Sequence, residues 1–218
     1  MNGIWGIYLL SWLILLLLGY FLGCLNGSVM VSHFIIRDDV RQHGSGNAGL
    51  TNFYRTYGAK YAVGVILIDM GKTVVACLLG GAMFNHLFGD WALGVLLGGL
   101  GCELGHMFPV FFGFKGGKGI LSGGTLVWLL DWRVGLIAWS LFAALWLLTK
   151  YVSLGSVCAA VSMPISTFFF CGQSILYTVL AVLTAALVVW CHRENITRLM
   201  HHQERKFQWH TGTPKEKE

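Results

Sequence analysis

Charge is what this sequence has least of. Asp, Glu, Lys and Arg make up 11% of the 218 residues, against about a quarter in a typical soluble domain. Proline occurs three times, whereas 56% of the residues are hydrophobic and the mean hydropathy is +0.66. Fifteen basic and ten acidic side chains cannot cover a water-exposed surface of this size. The composition excludes a soluble globule and a disordered chain and indicates a polytopic membrane protein.

Paired cysteines and metal-ligand spacings are also missing. The six cysteines are scattered singly, with no C-x-x-C pair, and the eight histidines show no H-E-x-x-H spacing. This pattern excludes a disulfide-stapled secreted domain and predicts that the cysteines are small apolar fillers inside helices. It also predicts that the chain has no metal site.

Long apolar segments are what the sequence has instead. Most are close to the roughly 20 residues that a helix needs to cross a bilayer. The first lacks the basic start and cleavage site of a secretory signal, so we predict a retained transmembrane helix. The fold is predicted to be all-α, a single integral membrane domain over 1–218, with a helical bundle over 1–200 and a frayed cytoplasmic tail over 201–218. The seven apolar segments cover 4–36, 61–87, 91–112, 120–130, 134–148, 154–170 and 175–190.

The basic residues predict the orientation of these segments. Thirteen of the fifteen follow the first, third, fifth or seventh segment, whereas the intervening loops contain only Arg133. Because cytoplasmic loops carry an excess of Lys and Arg, we place the N-terminus outside and the C-terminus in the cytoplasm. This alternation requires an odd number of spans, and seven fits.

The segment 120–130 is short. A dozen residues lie between Lys118 and Asp131, which is about 18 Å of helix, whereas the hydrocarbon core is about 30 Å thick. Either this helix is a half-span or the glycine-rich turn before it lies below the membrane surface. Irregular backbone at that depth is tolerated where it lines a polar cavity or is buried in protein. We therefore expect a pocket at the cytoplasmic side.

Two glycine-rich loops on that side are candidate anion receptors. Glycines let backbone N–H groups converge on an anion, especially where a helix begins, and arginine can grip phosphate oxygens bidentately. The alternative is that these loops are only turns, helix caps and positive-inside anchors. The candidate ligands in the first loop, 43–55, are Ser45, Gly46, Asn47, Thr51, Asn52 and Arg55, and those in the second, 114–119, are Lys115, Gly116, Gly117 and Lys118.

Polar residues inside the segments form two helical pairs. Asp69 and Lys72 are three residues apart, as are Glu103 and His106, and such pairs share a helix face. Since intramembrane charges normally pair and face the interior, Asp69 and Lys72 either lock helices together or touch substrate. For Glu103 and His106 we expect a satisfied interior hydrogen bond.

The cytoplasmic ends of the last segments add three candidates. Ser153 lies at the start of one segment, where a serine often does no more than bond a carbonyl of the preceding turn. His192 and Asn195 follow the final segment, where basic groups would also suit a helix C-terminus. With two anion-binding loops nearby, these residues could complete a pocket.

Two short motif matches are rejected. Gly71, Lys72 and Thr73 resemble the end of a P-loop, but the required upstream glycine is replaced by Ile66 in an apolar span. His33 and Asp38 satisfy the H-x4-D pattern that one class of glycerolipid acyltransferases uses. That class needs companion motifs that this sequence lacks.

Taken in order, five stretches resemble the bacterial acyl-phosphate:glycerol-3-phosphate acyltransferase family, the PlsY type. The resemblance extends from about residue 19 to residue 206. That family usually has Pro at the position of Ala48, Ala-Thr at Leu121-Ser122 and Gly at His202; the last departure weakens any role for the region around Glu204. The five matching stretches are 44–55, 69–72, 105–119, 151–156 and 192–199.

The resemblance implies a seven-helix inner-membrane enzyme with a site that faces the cytoplasm. It would transfer a fatty acyl group from acyl phosphate to the 1-hydroxyl of glycerol 3-phosphate, the first step of phospholipid synthesis, without acyl-CoA, metal or cofactor. We expect no nucleic acid and no obligatory protein partner. The implied catalytic residues are Ser45, Arg55, Lys115, Ser153, His192 and Asn195, and the implied substrate-binding residues are Gly46, Asn47, Thr51, Asn52, Gly116, Gly117 and Lys118.

The residues favour the same chemistry independently. Both substrates carry phosphate, the acyl chain needs an apolar groove, and an activated acyl donor needs no Ser-His-Asp set. Positioning and donors aimed at the developing oxyanion would suffice, with either His192 or the phosphate of glycerol 3-phosphate as base. One alternative is an anion transporter, but the polar candidate residues lie on one side of the membrane and the sequence shows no internal duplication. The other is a structural helper subunit, a function that would explain neither glycine-rich loop. The enzyme hypothesis requires these distant stretches to meet at one cavity.

Overall fold

The computed structural model describes residues 2–208, which form helices joined by short turns. A π-helical turn, Val31–Ile36, follows the second helix, and 3-10 turns cover Val40–Gln42 and Val110–Phe112. The α-helices are α1 (Asn2–Gly23), α2 (Gly27–Met30), α3 (Leu50–Tyr57), α4 (Ala59–Phe88), α5 (Trp91–Met107), α6 (Ile120–Leu130), α7 (Trp132–Thr149), α8 (Val152–Phe170), α9 (Ile175–Cys191) and α10 (Arg193–Met200).

Helix length and outward apolarity identify a multi-pass membrane protein. Within residues 2–208, five segments are long and apolar enough to cross a bilayer, and a sixth is obtained if α9 is counted together with α10, from which it is bent by 60°. Ile4, Leu9 and Leu13 on α1 are exposed, as expected of a surface that faces lipid. Helix α6 has 11 residues and is shorter than a span. The count of seven spans and the orientation of the termini stay predictions.

The first apolar segment is not one helix. Helix α1 ends at Gly23, and Asn26 begins α2, where its side chain accepts a hydrogen bond from the N–H of Val29 at 3.0 Å. Residues 4–36 still form one candidate span, as predicted, but this span is divided into α1, α2 and the π-helical turn and is not one continuous helix. The break leaves backbone groups inside the membrane region, and these are bound by a charged side chain of α4 described below.

Side-chain caps define where several other helices begin. Asp90 starts α5 by accepting from the N–H of Leu93 at 3.0 Å, and Asp131 starts α7 by accepting from the N–H of Arg133 at 2.8 Å. Each acidic cap satisfies a free N–H of the first turn. Short turns between capped helices keep neighbouring helices in contact.

Helix α5 is the centre of the bundle and contacts α1 and α4 through glycines. A β-carbon at Gly98 would lie 2.4 Å from the Ala76 carbonyl oxygen of α4, and one at Gly105 would lie 2.0 Å from the Tyr20 carbonyl oxygen of α1. Small residues let helix backbones approach in this way inside membranes. Helices α1, α4 and α5 thus form a tightly packed base, and α6 to α9 lie against it.

Candidate active site

One cavity of about 780 Å³ brings the predicted residues together. It is open at the end of the bundle where the two glycine-rich loops and the starts of α8 and α10 meet. Its volume is in the range of ligand sites. All thirteen candidates line it: Ser45, Gly46, Asn47, Thr51, Asn52, Arg55, Lys115, Gly116, Gly117, Lys118, Ser153, His192 and Asn195. The required convergence is present, and the roles of the individual residues stay predictions.

The inner part of the cavity is apolar and lies between α6, α7, α8 and α9. Val127, Ala138 and Met163 line it and belong to the buried core of the bundle. Met163 is ten residues along α8 from Ser153, a distance of about 15 Å. The cavity therefore combines a polar mouth with a deep apolar slot.

Asn52 organises the first loop. Its Nδ2 donates to the carbonyl oxygens of His43 and Asn47, each at 3.0 Å, and its Oδ1 accepts from the N–H of Ser45 at 3.0 Å. Both ends of this buried amide are used by the loop itself. The structure shows Asn52 shaping the loop around Ser45, and its predicted contact with substrate stays a prediction.

Two backbone N–H groups of the second loop, those of Gly116 and Gly117, are not available to the predicted anion nest. The N–H of Gly116 donates to the Met107 carbonyl oxygen at 3.2 Å, and that of Gly117 donates to the His106 carbonyl oxygen at 3.1 Å. A β-carbon at Gly116 would lie 2.0 Å from the latter oxygen. These glycines are required because the loop runs against the end of α5, and their N–H groups are unavailable to a phosphate.

The two glycine-rich loops are joined to each other. The N–H of Ala48 donates to the Gly116 carbonyl oxygen at 3.3 Å, and the Asn26 side chain donates to the Ala48 carbonyl oxygen at 3.2 Å. Alanine at position 48 keeps an N–H that proline would lack. Both loops therefore form one assembly at the mouth of the cavity.

Two helix N-termini supply backbone donors there. Helices α3 and α6 have no side-chain cap, and their first residues, Leu50 and Ile120, line the cavity. The first N–H groups of a helix have no partner within the helix, and together with the helix dipole they favour an anion. Each glycine-rich loop is thus followed by a helix start that can bind an anion, as expected from the sequence.

A hydrogen-bonded network joins the second loop to α8 and α10. Lys118 donates to Asn195 Oδ1, and Asn195 Nδ2 donates to Glu204 Oε1 at 2.7 Å. Glu204 also accepts from Ser153 Oγ and from Arg198 Nε, both at 2.8 Å. Burial lowers the pKa of Lys118, and the nearby charge of Arg198 adds to this effect. Burial raises the pKa of Glu204, but the hydrogen bonds from Asn195, Arg198 and Ser153 outweigh it, so this pKa lies below its usual value.

Residues 201–208 do not fray as predicted but fold back over the mouth. The N–H of Phe207 donates to the Lys150 carbonyl oxygen at 2.8 Å, and its ring stacks on Tyr54 with centroids 5.5 Å apart. Arg55 Nη2 donates to the Arg205 carbonyl oxygen at 3.3 Å. The remainder of the predicted tail, 209–218, lies outside the described residues.

Glu204 is the functional candidate that sequence reasoning missed. The sequence argues against a role for it, because His202 stands where the resembled family has glycine. His202 itself adopts the left-handed conformation, with φ of 56°, which glycine adopts without strain. The turn that carries Glu204 to the site is therefore formed in spite of the departure. The glycine that the resembled family has at this position is the sequence signal of such a left-handed turn.

His192 lines the cavity, and one hydrogen bond fixes which of its ring nitrogens carries the proton. Its Nδ1 lies 2.8 Å from the Val188 carbonyl oxygen, which can only accept, so Nδ1 carries the proton. In the neutral ring Nε2 then holds the lone pair. His192 is buried at the junction of α9 and α10 and lines the cavity, a geometry compatible with a general base.

The Asp69–Lys72 pair joins α4 to the break between α1 and α2, in agreement with one of the two alternatives; Asp69 also lines the cavity, so contact with substrate stays a prediction. The two side chains are buried and form an ion pair at 2.8 Å. Lys72 Nζ also donates to the carbonyl oxygens of Gly23 and Leu25, each at 3.0 Å, and Asp69 accepts from the N–H of Gly27 at 3.0 Å. The pair thus satisfies the backbone at the break between α1 and α2.

The expected Glu103–His106 hydrogen bond is absent. His106 Nδ1 lies 2.9 Å from Lys72 Nζ, whereas both carboxyl oxygens of Glu103 are buried without a partner in the described chain. Glu103 lies against Gly119 and Gly123 at the start of α6. Sequence spacing placed the two side chains on one helix face but could not identify the neighbours that they meet.

Metal ligands are not assembled in residues 2–208, where no group of three or more His, Cys, Asp or Glu side chains could hold an ion. That the chain uses no metal stays a prediction.

The profile of the family described as Glycerol-3-phosphate acyltransferase matches residues 13–202. The chain is 37% identical over 201 residues to the glycerol-3-phosphate acyltransferase of Finegoldia magna, covering 90% of this chain and 98% of that one. It is 40% identical over 192 residues to that of Synechococcus sp. (strain CC9902), covering 88% and 93%. The chain belongs to the glycerol-3-phosphate acyltransferase family.

Solved structures agree with this membership. The crystal structure of PlsY (YgiH), an integral membrane glycerol 3-phosphate acyltransferase, in its glycerol 3-phosphate form superposes with a TM-score of 0.79 and 35% sequence identity, covering 91% of this chain and 96% of that one. Its lysophosphatidic acid form gives a TM-score of 0.77 and 34% identity with the same coverage. The resemblance found in the sequence is confirmed at the level of family and fold.

Proposed function

We propose that this protein transfers a fatty acyl group from acyl phosphate to the 1-hydroxyl of glycerol 3-phosphate. The products are lysophosphatidic acid and phosphate, and the reaction is the first step of phospholipid synthesis in a bacterial inner membrane. One observation carries the proposal: basic and hydroxyl-bearing side chains from distant parts of the chain surround the polar mouth of a deep apolar cavity. Family membership supports the same reaction.

The cavity accommodates both substrates by their chemistry. Arg55, Lys115 and Lys118 place three positive charges at the mouth, beside the N-termini of α3 and α6. These groups suit two phosphoryl groups held next to each other. The apolar slot towards Met163 takes the acyl chain. Residues 201–208 cover the mouth and would exclude water from the reaction.

The reaction needs one proton acceptor and one site for negative charge. The 1-hydroxyl of glycerol 3-phosphate attacks the acyl carbonyl, the carbonyl–phosphate C–O bond breaks, and phosphate leaves with the bonding electrons. His192 Nε2 or the phosphate of glycerol 3-phosphate accepts the hydroxyl proton. Ser45 and the second N–H of Asn195 can donate to the developing oxyanion or orient the substrates. The Ser153 hydroxyl gives its proton to Glu204, so it would contribute by holding that carboxylate and by accepting from substrate.

The test is an assay of purified protein in lipid with labelled glycerol 3-phosphate. We expect labelled lysophosphatidic acid when acyl phosphate is supplied and none when acyl-CoA replaces it. Product formed only with acyl-CoA would contradict the proposed donor. Uptake of label into sealed vesicles without product would instead support an anion transporter.

A further inference from the structure

His106 is a cavity-lining side chain that the proposed chemistry leaves without a role. It lies near the end of α5, is buried, and borders the cavity beside the second glycine-rich loop. A β-carbon at Gly117 would lie 2.2 Å from His106 Nε2. The imidazole thus occupies the space that a side chain at position 117 would need.

The proton of the ring is placed by Lys72. Lys72 Nζ has three N–H groups and four acceptors within 3.0 Å of it: the carbonyl oxygens of Gly23 and Leu25, Asp69 Oδ1 and His106 Nδ1. Because an ammonium group can only donate, the four acceptors share its three N–H groups, and the ring turns the lone pair of Nδ1 towards Lys72. The neutral ring therefore carries its proton on Nε2. Asp69 holds Lys72 in place at 2.8 Å and is 3.5 Å from His106 Nδ1. This arrangement fixes the tautomer, because a proton on Nδ1 would face the ammonium group.

The Nε2–H donor is unused by the protein. In the part of the chain that the structure describes, Nε2 has no hydrogen-bond acceptor. The N–H groups of Gly116 and Gly117, the other donors expected here, are bound to carbonyl oxygens of α5. A phosphate held by Lys115 and Lys118 would therefore receive no hydrogen bond from these two glycines, and the neutral donors beside it are the first N–H groups of α6 and His106 Nε2.

We infer that His106 binds substrate, donating its Nε2–H to a phosphoryl oxygen held at the loop 115–118. The inference rests on the proposed function, since that function supplies two phosphate-bearing substrates. Lys72 and Asp69 act through His106 as positioning residues. The phosphoryl group belongs either to glycerol 3-phosphate or to acyl phosphate, and separate titration of each substrate distinguishes them.

Two variants at position 106 distinguish the contribution of Nδ1 from that of Nε2. In His106→Asn the side-chain oxygen can still accept from Lys72 but the cavity donor is lost, whereas in His106→Gln the amide N–H lies near the former Nε2. A hydrogen bond to a charged group is worth enough to change binding by about tenfold or more. We expect His106→Asn to raise KM for one of the two substrates by about tenfold, with a smaller change in kcat and a wild-type-like melting temperature. His106→Gln should recover most of that loss.

Failure of the His106 inference can be distinguished from failure of the proposed acyltransferase function. Equal loss in both variants, with kcat and melting temperature falling together, would overturn the inference and leave His106 structural. An unchanged KM for both substrates in His106→Asn would also overturn it. If the wild type makes no product, calorimetry with inorganic phosphate still tests His106: weaker binding by His106→Asn, recovered in His106→Gln, supports the inference, and identical binding rejects it.

Discussion

Glu204 holds the segment 201–208 over the site. The variant Glu204→Gln tests how much its hydrogen bonds stabilise this closed position of the segment. The carboxylate accepts from Ser153 and Asn195 on one oxygen and from Arg198 on the other. Glutamine keeps one acceptor and replaces the other by an NH2 group. In either orientation that group faces a donor, so at least one charge-assisted hydrogen bond is lost.

The expected increase in the open population of the segment follows from the loss of that one hydrogen bond. A hydrogen bond to a charged group contributes about 1.5–3 kcal/mol, and we take the lower end because the Arg198 side chain is 36% exposed. About 1.5 kcal/mol corresponds to roughly a tenfold shift from the closed to the open segment. The segment contains Arg205 and Lys206, which are trypsin sites. When reclosing is faster than cleavage, the cleavage rate follows the open population.

Limited trypsin digestion is therefore the assay, with turnover measured in parallel. We expect cleavage after Arg205 to be about tenfold faster in Glu204→Gln, with reduced turnover. The matched control for cleavage is Glu194→Gln, the same chemical change at an exposed cavity-lining carboxylate on α10 that has no side-chain hydrogen bond within residues 2–208. Cleavage of Glu204→Gln at the rate of this control would refute the reasoning.

The same carboxylate sets a pH dependence. The pKa of Glu204 lies below its usual value, so its stabilising effect is complete above the pH where a free glutamate ionises, about 4.3, and is lost as pH falls through the lowered folded value. Wild type should resist trypsin-like cleavage across neutral pH, and an acid-active protease should detect opening only in strong acid. Glu204→Gln should lack this transition.

Three further predictions concern other parts of the structure. Arg55→Ala should lower turnover at least about 100-fold with the protein still folded, because the lysines of the second loop cannot reproduce the bidentate contact of its guanidinium group with phosphate, whereas the exposed Lys60→Ala should be near wild type in the acyl phosphate assay. Gly105→Ala should lower the melting temperature markedly, since its β-carbon would lie 2.0 Å from a backbone oxygen, whereas Gly71→Ala, with nothing within 4 Å, should be neutral or stabilising. His202→Gly should stabilise by about 1 kcal/mol in thermal unfolding, because a left-handed non-glycine residue is strained; destabilisation would contradict this.

The sequence contains enough to predict the architecture and the location of the site. Apolar length and basic loops depend on local composition, so the helices and the shared end of the two loops could be predicted. The short helix α6 also followed from spacing alone, because the distance between Lys118 and Asp131 is fixed by the helical rise.

Long-range partners could not be predicted in the same way. The break after Gly23 is stabilised by Lys72, and Glu204 reaches Ser153 across 51 positions of the chain. The choice of His106 partner was wrong because residues three apart on one helix share a face but can contact different helices. Likewise, glycines in a loop indicate close approach, and only coordinates show whether a ligand or another backbone approaches them.

The 60° bend between α9 and α10 sets the direction in which two site residues, His192 and Asn195, leave the helix axis. His192 lies at the bend, and Asn195 follows within one turn. Each residue inserted into a helix rotates everything after it by about 100°. A single insertion or deletion within α9 would therefore swing the imidazole and the amide away from the mouth together, whereas the loop before Ser174 can change length without altering their alignment.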